Sequence, residues 1–144
     1  MSITTSTIRN TTLFGVVGLF ALTFLLFMLG RQLFYVAAVL AIIFGLLGLL
    51  LAVLTLRLQE PRLHRILFLM TGVSAAGIPI SVVLHNLIYA LGIVFFGKGF
   101  WQDGSDEPFF FILAIIVCPA LFVIGAVGST VVLVRFQMTK SIKA

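Results

Sequence analysis

Four long apolar runs dominate the chain: Leu13 to Leu29, Leu33 to Leu56, Ile66 to Phe96 and Phe109 to Val134. A helix needs about 20 mostly apolar residues to cross the ~30 Å hydrocarbon core of a bilayer. The first run is near the short limit, and the second and fourth fit easily. The third is too long for a straight crossing, since at ~1.5 Å per residue it rises on the order of 45 Å. It must tilt, kink or protrude. Gly77-Ile78-Pro79 offers a kink site, because proline removes a donor and crowds the preceding turn.

Composition excludes the ordinary alternatives. Of 144 residues, 62% are hydrophobic and 9% are charged, whereas a soluble domain is about 25% charged. A soluble domain and a disordered chain are both ruled out. The sequence predicts an all-α, integral membrane four-helix (tetraspan) bundle in one domain, 1–144. Its spans are expected at about 13–30, 33–56, 66–96 and 108–135, with an inner loop at 57–65 and an outer loop at 97–107.

The connections are short. Arg31 and Gln32, after Gly30, form almost the whole link between the first two helices, so these should make a tight antiparallel hairpin. Glu60-Pro61 marks a turn and a helix stop. The first dozen residues, rich in Ser, Thr and Asn, read as a short polar tail. The first run lacks a small-x-small cleavage pattern and is followed at once by a second, which reads as an uncleaved signal anchor.

Formal net charge is +5, and the basic residues sit at the ends of the apolar runs. That placement reads as topology rather than as a nucleic-acid surface. Arg9, Arg57, Arg62, Arg65, Arg135, Lys140 and Lys143 fall on one side, and Arg31 and Lys98 on the other. The excess places both termini in the cytoplasm of a multi-pass protein of the cell membrane. Tyr35, Phe100 and Trp101 then lie near the outer interface, where amphipathic rings are favoured.

Polar chemistry concentrates in the third run. Ser74, Gly77, Ser81, His85, Tyr89 and Gly92 recur at three- or four-residue steps and share a helix face, with Asn86 on its flank. Such a stripe should point into the bundle or at a partner. His85 is the sharpest feature. It reads first as an interhelical hydrogen-bonder, and otherwise as a proton relay or a ligand to haem, pigment or metal. By contrast, the first run carries only Thr23, and Leu33 to Leu54 only Tyr35. Small residues in these two (Gly15, Gly18, Ala21, Ala37, Ala38, Ala41, Gly45, Gly48) are expected to allow close backbone approach.

Asp103, Asp106 and Glu107 form an acidic outer loop, which with Ser105 and Pro108 reads as a helix start and secondarily as a cation or partner contact. Cys118-Pro119 predicts a second kink around a buried, inert thiol. Gly125, Gly128 and Ser129 form a docking face for the third helix or for another subunit. A single cysteine excludes an internal disulfide.

In length and span count the chain resembles small four-helix multidrug transporters. Their functional glutamate lies in the first helix, and Leu13 to Leu29 holds no acid. No catalytic set, cofactor or metal is called for, and the reading is non-enzymatic. The expected role is an accessory, assembly or scaffold subunit, with a protein partner or a second copy docking through the third and fourth helices. The alternatives are a homo-oligomeric transporter or channel lined by the third helix, and a His85-ligated haem or pigment subunit.

Overall fold

Within hydrocarbon every backbone N–H and C=O must find its partner inside its own segment, so apolar runs of this length form helices. The computed structural model describes residues 2–101 and 108–142. Its long elements are α1 (Ser2–Met28), α2 (Phe34–Leu56) and α3 (Arg62–Phe96). A composite fourth span joins α4 (Pro108–Ile112), a π turn (Leu113–Val117) and α5 (Cys118–Ile142). Among the described residues, four helices are long and apolar enough to cross a membrane: Thr4–Met28, Phe34–Leu56, Arg62–Phe96 and Pro108–Arg135. The molecule is thus an all-helical bundle of multi-pass character. The start of α1, the 57–61 connection and the end of α5 meet at one end, here called the basic end. The 29–33 and 97–101 connections and α4 make up the aromatic end.

Two helices start earlier than the apolar pattern indicates. α1 begins at Ser2, so the polar segment ahead of Leu13 is helical rather than a tail. Ser, Thr and Asn are indifferent helix formers, but tertiary contacts override that preference. Arg9 is buried and ion-paired to Glu60, which lies outside α1 and 51 positions away in sequence. α3 begins at Arg62, so Arg62, His64 and Arg65 lie on its first turns and not in a loop. Pro61 immediately precedes it with φ −50° and ψ 142°, and its carbonyl accepts from Arg65 N–H at 3.1 Å.

Prolines shape the spans in different ways. α3 continues through Pro79. In the fourth span Pro119 follows the π turn, and Cys118 N–H reaches back five residues to the Leu113 carbonyl. Widening the coil moves the preceding carbonyls away from the proline ring and the donor it lacks. A distortion is therefore present at Cys118-Pro119, in the form of a π turn. Gly30 (φ +112°) and Gly97 (φ +87°) end α1 and α3 in backbone conformations that side-chain-bearing residues rarely adopt.

The helices close on one another through small residues. A Cβ on Gly72 would lie 2.7 Å from the Gly48 carbonyl oxygen, and one on Gly48 2.8 Å from that of Gly72. α2 and α3 therefore touch backbone to backbone. Gly125 sits as tightly on Thr71, and Gly128 on Leu67, which docks α5 on α3. The expected close approach of Gly15 and Gly18 is not found. The nearest atom to a Cβ at Gly15 is 3.8 Å away in Leu47, and none lies within 4 Å at Gly18.

Between these seams sits the core. Val16, Phe44, Ala75, Phe122 and Ala126 fill the middle, and Leu13, Leu51, Phe68 and Leu133 the basic end. Phe20 bridges the pair Phe44 and Phe122 with ring centroids 5.8 and 4.6 Å away. Lipid is as apolar as leucine, so close packing of this kind holds the helices together rather than water exclusion.

Candidate functional site

Helical spacing places Ser74, Gly77, Ser81 and His85 along one line of α3, and the structure turns that line toward the fourth span. Ser74 and Ser81 are buried. Gly77 leaves just enough room for Cys118, whose Sγ would be 2.9 Å from an added Cβ. Farther along, the His85 and Phe111 rings are 5.6 Å apart. Beyond them Trp101 folds back onto the helix. Its indole N–H donates to the Tyr89 carbonyl at 3.1 Å, its ring stacks on Tyr89 at 6.0 Å, and it covers Gly92. Cys118, Phe111 and Trp101 thus meet the polar face at three successive levels, at Gly77, at His85, and at Tyr89 and Gly92.

The flanking residues behave differently. Asn86 is exposed and its side-chain NH2 donates to the Val82 carbonyl at 2.7 Å, which ties its polarity to its own helix. With His85, Val82, Phe111, Ala114 and Ile115 it lines a recess of about 300 Å³ beside the π turn. Several buried hydroxyls are also satisfied within the bundle. Thr71 donates to the Leu67 carbonyl at 2.9 Å and lies 3.5 Å from the Ser129 hydroxyl on α5, and Thr55 donates to Leu51 at 2.7 Å. The acidic residues Asp103, Asp106 and Glu107, with Ser105, lie outside the described residues.

A second polar site lies at the basic end, where sequence reasoning named none. Arg9 of α1 is 3% exposed. One terminal nitrogen, Nη1, donates to Glu60 Oε2, while Nε and Nη2 both donate to Asn10 Oδ1 at 3.2 and 2.9 Å. The guanidinium also lies over the Phe68 ring, 3.9 Å from its centroid, which adds cation–π attraction. Around it is a cavity of about 390 Å³ whose walls include Ser6, Gln59, His64, Val132 and Leu133. One signal in the sequence pointed here. Glu60 stands alone as an acid among Arg57, Arg62 and Arg65, and the only other acids in the sequence are Asp103, Asp106 and Glu107.

Among the described residues no cluster of three or more His, Cys, Asp or Glu side chains is positioned to hold a metal ion. Comparisons with family models, with curated proteins and with solved structures find no match.

Proposed function

We propose that the chain is a small, non-enzymatic integral membrane subunit: an accessory, assembly or scaffold protein that packs against a membrane complex or against itself. The observation that carries this reading is the cover over the polar face of α3. Cys118, Phe111 and Trp101 occupy the line that a transported solute or a substrate would need. The polar groups there act as interhelical glue.

In this reading the protein lies in the cell membrane with both termini in the cytoplasm, as the distribution of Lys and Arg favours. α1 and α2 insert as a hairpin, and α3 bends at Pro79 to fit its length to the bilayer. The partner docks on the third and fourth helices. Gly72 and Gly125 are engaged within the chain, so outward residues such as Val73 and Val83 of α3 and Ile124 and Val127 of α5 would make the contact.

Native mass spectrometry of the protein extracted gently from its own membrane tests this. The expected result is the 15.7 kDa chain in a stoichiometric assembly with a partner or with itself. A single chain or a homo-oligomer without extra mass that conducts ions in liposomes, and loses flux in His85→Ala, would replace the proposal with the transporter reading. The recess beside His85 favours one further reading, a haem or pigment subunit, which a visible absorption band of the purified protein would support.

A further inference from the structure

The cavity at the basic end has more binding capacity than its own contacts use. A guanidinium carries more N–H donors than the bonds Arg9 makes to Glu60 and Asn10. The ion pair fixes Arg9 inward, and Phe68 supports its face. Half-buried His64 lines the same cavity. Glu60, the one carboxylate among the residues lining the cavity, offsets Arg9, while Arg57, Arg62 and Arg65 are exposed. Arg65 shares with Gln59 and Glu60 a neighbouring recess of about 430 Å³. Within the cavity Arg9 and Glu60 balance, so the positive surplus at this end comes from Arg57, Arg62 and Arg65, and it favours an anion as the guest. Glu60 in the wall penalises a multiply charged one. The other walls, Phe68, Val132 and Leu133, are apolar. The site therefore offers charge at one side and hydrocarbon at the other.

We propose that this cavity binds a singly charged phosphate group, matched best by the phosphodiester headgroup of an anionic glycerophospholipid. Arg9 and His64 hold the phosphate oxygens, the apolar wall receives the start of the glycerol and acyl portion, and the exposed arginines steer the anion in. A planar guanidinium suits phosphate geometry better than an ammonium does. The cavity lies at the ends of the spans, at the depth of headgroups for a chain that crosses a bilayer. The inference is independent of which partner the subunit serves.

The test is native mass spectrometry of the full chain in detergent, titrated with phosphatidylglycerol, phosphatidylcholine or inorganic phosphate. One phosphatidylglycerol per chain is expected to be retained in preference to phosphatidylcholine. Val132→Phe, which fills the cavity without touching a charge, should weaken retention by about tenfold. His64→Gln, at a half-exposed position, should weaken it by about threefold and serves if Val132→Phe does not fold. The triple variant R57Q/R62Q/R65Q should slow binding yet leave the single adduct. Displacement by inorganic phosphate would assign the cavity to a free anion of the same chemistry, and resistance to it assigns the cavity to lipid. The proposal is overturned if both cavity variants retain lipid like the wild type, or if the triple variant alone abolishes retention.

Discussion

Glu60→Gln is expected to destabilise the folded chain by about 3 kcal/mol, because it strands a charge in the bundle. Arg9 is 3% exposed, whereas the Glu60 side chain is 22% exposed. Water reaches the carboxylate but scarcely reaches the guanidinium. Removing the negative charge therefore leaves the worse orphan, since the Gln amide oxygen, Asn10 and the Phe68 ring offer the guanidinium only neutral partners. The consequences are structural as well. Without the ion pair, the polar first turns of α1 lose the contact that offsets their weak helix propensity. The double variant R9M/E60Q should recover much of the loss, since replacing both members of a buried pair costs far less than removing one. Denaturation of the single and double variants in one detergent gives the coupling directly. A loss below about 0.5 kcal/mol for Glu60→Gln would place the pair among surface ion pairs of little consequence.

The second large effect is expected at the α2–α3 seam. A Cβ on Gly72 would meet the Gly48 oxygen at 2.7 Å, the Ala52 nitrogen at 2.9 Å and the Ala52 Cβ at 3.2 Å. Two of these neighbours are backbone atoms and cannot rotate away. Gly72→Ala should cost about 1–2 kcal/mol, and Gly72→Val about 3 kcal/mol, as the helices are forced apart. Gly18→Ala is the matched control. It changes glycine to alanine in an apolar helix with nothing within 4 Å of the new Cβ. Better helix propensity should make it neutral or slightly stabilising. Equal losses at Gly72 and Gly18 would show that helix propensity, not the seam, governs these positions.

Much of the architecture was legible because a bilayer imposes so strict a rule on backbone polarity. The apolar runs gave the number of spans; Gly30 and Gly97 lie where α1 and α3 stop, whereas Pro61, read as a helix stop, stands where α3 begins. Other features depend on what lies across the bundle, which periodicity along one helix does not report. Gly18 and Gly48 look alike in sequence, yet one faces open space and the other faces backbone. Pro119 announced a distortion, but its relief by a π turn follows from how far the Leu113–Val117 coil can widen. Arg9 looked like one more basic flank residue. Its burial depends on Glu60, 51 positions away in sequence. The α3 stripe was visible as a pattern, while its cover came from Cys118, Phe111 and Trp101, whose neighbours in sequence do not point to it.

Whether that stripe is a packed seam or a wet path is the question on which the functional account turns, and cysteine accessibility answers it most directly. Ser74→Cys and Ser81→Cys would each be made in a Cys118→Ala background and treated with a small, water-soluble thiosulfonate. Lys98→Cys, at an exposed position in the same background, supplies the reference rate. Ser74 and Ser81 are 4% and 5% exposed. Their cysteine replacements should react at least about 100-fold more slowly than the reference, through rare local opening. Reaction of both at rates close to that of Lys98→Cys would put water along α3 and contradict the scaffold account.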